Sequence, residues 1–267
     1  MSAVTARSVR QAESLDTVRA LQWVFYRSAK CDPARRFHAV YCHVARSDVL
    51  WRAWGDVRAN RGAPGVDGVS IADVERAGVS GFLDALAREL RAGSYRPAPL
   101  RRVEIPKRER GATRPLSIPT VRDRVAMTAA KIVLEPVFEA DFLPSSHGFR
   151  PRRSALDACE VVRVEANRGR EWVVDADIAD CFGSLDHDAV MEQVARRVCD
   201  RRMLRLLRCW LRVGVLDVGV LRDSVSGTPQ GSLCEAVHKP PNEQCWIMRS
   251  AGLSCLVRAR SGLDRCA

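Results

Sequence analysis

Residues 100–119, LRRVEIPKRERGATRPLSIP, are where the chain changes its period. Upstream, apolar residues recur at three- and four-residue steps. Here Val103 and Ile105 alternate with polar neighbours, and TRPLSIP alternates again beyond KRERGA. Alternation is the pattern of a half-buried strand, and two such runs around a Gly-containing turn predict a β-hairpin. Its tip is cationic and flanked by Lys107 and Arg114. On a hairpin both residues project near one end of the sheet, where they could grip phosphates. A solvated turn is the plain alternative.

The rest of the chain reads outward from that hairpin. Phe37, Val40, Tyr41 and Val44 give a helical pattern over Arg35 to Asn60, stopped by the Gly/Pro loop NRGAPGVDGVS (60–70). SGFLDALARELRAG (80–93) is an amphipathic helix with Phe82, Leu83, Leu86 and Leu90 on one stripe and Gly93 at its C-cap. After the hairpin, Pro119 opens a helix that runs to about Glu135, where Pro136 ends it. SSHGFRPRRS (145–154) is a basic loop, and Ser154 caps a helix over 155–167. EWVVDADI (171–178) is a strand. HDAVMEQVARRV (187–198) is a helix with Asp186 as N-cap, and an Arg-rich helix covers roughly 200–213. Residues 1–30 are weakly patterned, with one apolar cluster at Leu21, Trp23, Val24 and Phe25. This order predicts an α+β fold, helices packed on a small antiparallel sheet, rather than a doubly wound one.

Composition narrows the partners. The 267 residues are 46% hydrophobic and carry a net charge of +11. That permits a core and points to a polyanion, nucleic acid before an anionic membrane. An arginine-rich bias of composition is the bland account. The chain has no apolar run of about 18 residues and no signal-peptide pattern, so no membrane partner is expected. None of the ten cysteines shows CxxC spacing, which argues against zinc and for reduced thiols in a cytoplasm.

In WVVDADIADCFGSLDH (172–187), strand alternation puts Asp175 and Asp177 on one face. Two carboxylates on an apolar strand need a partner: a hard divalent cation such as Mg²⁺, or one of the many arginines. GTPQG (227–231) adds glycines that let backbone approach a ligand, with Gln230 between them.

Taken in order, NRGAPGVDGVS, IPKRERGATRPLSIPTVRDRV, LEPVFEADFLPSSHGFRPRRSA, VVDADIADCFGSLDH and SGTPQG closely resemble successive blocks of group II intron-type reverse transcriptases, the intron-encoded maturases. The match covers roughly 50–231. The resemblance implies right-hand polymerase fingers and a partial palm, acting as an RNA-directed DNA polymerase with Mg²⁺ and dNTPs on an RNA template and a DNA primer. It implies that Lys107 and Arg114 bind the incoming triphosphate. Asp177 is the catalytic carboxylate, with Ile178 beside it at the metal; Asp175 stands where the family usually has an acid. Phe182 screens the sugar 2′ position, Gln230 lies near nucleotide and template, and Arg150 is a candidate contact to the nucleic-acid backbone. Structured intron RNA is a further implied partner.

The pattern then departs from the family. No Asp-Asp pair occurs anywhere, so the Tyr-x-Asp-Asp block is missing. Residues 232–267 show no sustained period and hold four of the ten cysteines. The expected organisation is a helical extension at 1–50, a fingers-like region at 51–170, a partial palm at 171–231, and an aberrant tail at 232–267 that need not fold. The reading frame is expected to change or break near Ser232, leaving a fragment that is inactive alone. Without a partner hairpin the palm strand would expose an edge, which predicts poor solubility. A non-catalytic, maturase-like RNA-binding remnant is the alternative. A separate phosphodiesterase on Asp175 and Asp177 lacks further ligands, since the five histidines show no ligand spacing.

Overall fold

The structure, a computed structural model, describes residues 3–106, 113–170, 173–178, 185–217, 220–222 and 255–260, with side chains for 17–106, 113, 115–170 and 185–216. Its elements are α1 (Ala3–Cys31), α2 (Tyr41–Val44), α3 (Ser47–Ala59), α4 (Ile71–Ala77), α5 (Val79–Ala92), β1 (Leu100–Pro106), β2 (Thr113–Ile118), α6 (Val121–Glu139), α7 (Ala155–Asn167), β3 (Val173–Ile178), α8 (His187–Arg197), α9 (Arg201–Leu211), β4 (Val215–Asp217), β5 (Val220–Arg222) and β6 (Cys255–Arg260). One sheet runs β2-β1-β4-β5. It is antiparallel except where β1 meets β4, and a second sheet pairs β3 with β6 antiparallel.

The core is helical. α6 lies at its centre and buries Val121, Val125, Ala126, Ala129, Val133, Leu134 and Val137, with α1 and α3 packed against it. An apolar surface on every side suits a helix enclosed by others. Its N-cap is Thr120, whose side chain accepts from Asp123 N. Loop 60–70 docks here: a Cβ on Gly65 would meet Thr120 Cα at 2.6 Å, so only glycine allows that approach.

Pro136 does not end α6; the helix continues through it to Glu139. A proline leaves the carbonyl four residues back without its N–H partner. That carbonyl belongs to Ile132, and Gln22 Nε2 on α1 donates to it at 3.1 Å. Lys30 Nζ donates to Ala140 O at 2.9 Å, just past the last turn of α6. The weakly patterned N-terminus is therefore a continuous helix, α1, whose polar side chains complete the backbone bonding of α6. Val18, Phe25 and Ala29 join the core from it. The boundary expected at residue 50 falls inside α3, whose Val49, Leu50, Ala53 and Trp54 share the core with α1.

Other elements follow their local signals. α5 buries Leu83, Leu86 and Leu90 and ends at Gly93, φ 71°, with Ser94 N bonded to Glu89 O. Ser154 and Asp157 form a reciprocal capping box on α7, and Asp186 caps α8. The pattern over 35–60 divides into α2 and α3 at Arg46, whose backbone is extended, and Phe37 lies ahead of α2, bridged to Val198. α4 was not expected; its capping box, Ser70 with Asp73, lies at the end of the Gly/Pro loop. In the tail, where the sequence shows no sustained period, residues 255–260 form strand β6. β6 gives β3 the backbone partners that its own run of residues cannot supply.

Two buried ionic side chains join distant segments. Asp200 caps α9, accepting from Arg202 N and Met203 N through Oδ1. Its Oδ2 accepts from Val40 N at 3.0 Å and Tyr41 N at 2.8 Å at the start of α2. Arg197 donates to the carbonyls of Ala29, Asp32, Pro33 and Arg35 and pairs with Asp141 at 3.0 Å. It thereby caps the C-terminal end of α1 with a cation, the favourable sign there.

Candidate nucleotide and nucleic-acid site

The hairpin forms, with Ile105 opposite Arg114 and Pro106 opposite Thr113. Arg114 is placed on β2 by its backbone. Lys107 lies outside the described residues. Better defined is how the hairpin is held at its root. Asp123, 1% exposed, accepts from Ala98 N at 3.0 Å, two residues before β1. It also accepts from Thr120 Oγ1 at 2.8 Å, two residues after β2. One carboxylate thus binds both strands' outer ends.

Asp123 also accepts from Tyr95 OH at 2.6 Å, and Tyr95 OH accepts from Trp210 Nε1 of α9 at 3.1 Å. Arg122 covers the Tyr95 ring at 4.7 Å and pairs with Glu89. Burial, and then the Asp123 charge, push the Tyr95 phenol far above its ordinary value. The network is a set of satisfied buried polar groups, which fixes a unique geometry. Sequence reading passed over it; the signal available was the Thr120-x-x-Asp123 spacing of an N-cap.

β3 carries Asp175 and Asp177 two residues apart, hence on one face of the strand. Pairing with β6 sets Arg258 opposite Asp175 and Leu256 opposite Asp177. Ile178 is the last residue of β3. Phe182 and Gln230 lie outside the described residues. The structure therefore describes Asp177 and Arg114 on separate sheets and leaves their side chains undescribed. Among the described residues, no group of three or more His, Cys, Asp or Glu could hold a metal ion.

Arg150, the candidate contact to the nucleic-acid backbone, is engaged within the protein. Its guanidinium is bidentate on Glu139 and donates to Leu143 O at 2.6 Å and Ser146 O at 2.8 Å. It also lies over the Phe142 ring at 4.9 Å. Its side chain is 6% exposed. A charge that buried requires its carboxylate, so it turns inward and folds loop 140–154 onto the end of α6. Neighbouring Arg152 is exposed, in a left-handed turn with φ 58°.

Residues 105–234 match the family described as "Reverse transcriptase (RNA-dependent DNA polymerase)". The match opens on β1 of the hairpin and takes in β3. Among relatives, Protein YkfC of Escherichia coli (strain K12) is 37% identical over 212 residues, 77% of this chain and 55% of its own. Group II intron-encoded protein LtrA of Lactococcus lactis subsp. cremoris is 32% identical over 204 residues, 74% of this chain and 32% of its own. The chain belongs to the group II intron-type reverse transcriptases.

Nuclear intron maturase 1, mitochondrial, of Arabidopsis thaliana is 34% identical over 94 residues, 35% of this chain and 13% of its own. A solved structure titled "Partial Cas6-RT-Cas1--Cas2 complex" aligns over 73% of this chain and 32% of its own, at 19% identity and TM-score 0.48. The chain thus spans about half the length of one relative and a third of another. Among the described residues no helix is long and apolar enough to cross a membrane.

Proposed function

We propose that this chain forms the nucleotide- and template-holding part of an RNA-directed DNA polymerase, with dNTP, RNA template and DNA primer as ligands. The observation that carries the proposal is the continuous family match from the hairpin through β3, residues 105–234. Lys107 and Arg114 neutralise the triphosphate from the hairpin tip, a cationic clamp on developing charge. Phe182 excludes a 2′ hydroxyl by volume, and Gln230 hydrogen-bonds near the nucleotide. Arg150 serves the template path indirectly, by shaping the loop that carries Arg152 and Arg153.

Asp177, with Ile178 beside it and Asp175 on the same face, offers the hard oxygen donors that Mg²⁺ prefers. The fit is one of chemistry; the donor set is partial. A cation held by Asp177 would supply activation of the primer hydroxyl and charge neutralisation at the leaving pyrophosphate. The sequence has no Asp-Asp pair, so one acidic block stands where bridging of two ions needs more carboxylates. We therefore expect no turnover from this chain alone. Primer extension on an RNA template tests this. The expected result is no incorporation; template-dependent incorporation that disappears in Asp177→Ala would contradict it.

A second reading is favoured by that same missing pair and by the charge of +11: a non-catalytic, maturase-like protein that holds structured intron RNA. It predicts tight RNA binding unchanged by Asp177→Ala. The free thiols of Cys31, Cys42, Cys159, Cys199 and Cys209 suit the reducing cytoplasm expected for either reading.

A further inference from the structure

Two groups of arginines in this chain are used differently. Arg91, Arg122, Arg150, Arg197 and Arg202 direct their guanidinium groups to carbonyls, carboxylates or rings of the protein itself. Arg201, Arg205, Arg208 and Arg212 do not. All four are exposed, and among the described residues none has an ion pair or side-chain hydrogen bond.

Their spacing is i, i+4, i+7, i+11, which is one face of α9 and the residue after it. At about 1.5 Å of rise per residue the row extends for roughly 16 Å, with neighbours about 5–6 Å apart at their Cβ atoms. Like charges at i, i+4 destabilise a helix by themselves. The opposite face buries Met203, Leu206, Leu207, Trp210 and Leu211, and Asp200 fixes the N-terminus. The row is therefore held in place by core packing, against its own repulsion.

We propose that this arginine face of α9 binds the sugar–phosphate backbone of a structured RNA, outside the nucleotide site. Guanidinium groups suit phosphate oxygens through their planar fork of donors. A row of evenly spaced cations meets a row of evenly spaced phosphates without reading sequence. An anionic membrane fits less well. A helix that lies on lipid inserts its apolar face, and the apolar face of α9 is already buried in the core. The inference does not rest on nucleotidyl transfer; Asp177 and the hairpin take no part in it.

The test is fluorescence anisotropy of the full chain with a labelled RNA hairpin, titrated across salt. A variant with Arg201→Gln, Arg205→Gln, Arg208→Gln and Arg212→Gln is compared with wild type. Each phosphate contact contributes about 0.9 to the slope of log K against log salt, so loss of four contacts should lower the slope by about 3.6. Affinity near 0.1 M salt should fall by more than about tenfold. The corresponding lysine variant should keep most of the slope. Arg58→Gln with Arg76→Gln, which removes paired surface arginines, should change neither quantity. If the quadruple variant does not fold, single Arg205→Gln and Arg208→Gln should each lower the slope by about 1. An unchanged slope in folded variants overturns the proposal. So does a loss confined to a DNA duplex of the same sequence, or binding only to vesicles containing phosphatidylserine.

Discussion

Gln22 and Pro136 are far apart in sequence and meet at one carbonyl. Gln22→Ala leaves Ile132 O without a donor, and we expect a loss of about 1–2 kcal/mol in chemical denaturation. Pro136→Ala restores the helix N–H to that carbonyl, so the same Gln22→Ala change should cost about 1 kcal/mol less in that background. A cycle with no coupling would separate the two residues. Tyr95 makes a second prediction. Burial raises its phenol, and burial is also the leading cause of the raised value at Tyr41. A raised folded-state value means both phenols fold as neutral groups. Stability is then intact below the unfolded value of about 10 and declines as pH rises above it. Thermal melts above about pH 10 should fall in temperature, and Tyr95→Phe should flatten that fall. At neutral pH the same change should cost about 1–3 kcal/mol, because Trp210 Nε1 and Asp123 each lose a partner.

Between elements, the strongest joints are carboxylates that serve two segments. Asp200→Ala removes the cap of α9 and the acceptor for Val40 N and Tyr41 N, and we expect a loss of about 2–4 kcal/mol. Gly65→Ala should destabilise by about 1–3 kcal/mol, since its methyl meets backbone rather than a side chain that can swing away. Both are read from urea midpoints. The local half of these joints was legible in sequence. The caps Ser154 and Asp186, the C-cap Gly93 and the hairpin strands all follow from short-range rules. The long-range half was not. Nothing local says that Asp200 reaches Tyr41 across 159 positions, or that Gln22 repairs a proline 114 positions on. Pro136 was misjudged for that reason, because the breaker rule assumes that the freed carbonyl finds no donor. The N-terminal helix escaped notice because its outward face carries Trp23 and Val24, each 59% exposed, which blurs the stripe. At the candidate site, the inward pairing of Arg150 was not legible, because it depends on Glu139 at a distance of 11 residues.

For the whole molecule, the sequence suggests an unpaired palm strand and poor solubility, whereas the structure locates most buried apolar area in helices. Residues from Val18 to Leu211 contribute to one cluster, and β3 has β6 beside it. A cooperative melt of that helical body is the expected behaviour; a broad, non-cooperative one would show that the helices do not act as a unit. The net charge of +11 adds a global expectation, that RNA affinity weakens steeply with salt whichever arginines dominate. The central claim remains that Asp177 belongs to a magnesium-dependent nucleotide site fed by the hairpin. Its most direct measurement is retention of labelled dNTP on a complex of the protein with RNA template and DNA primer, with and without Mg²⁺, for wild type and Asp177→Ala. We predict retention that requires Mg²⁺ and is lost in Asp177→Ala. Equal retention in all four conditions would contradict the claim.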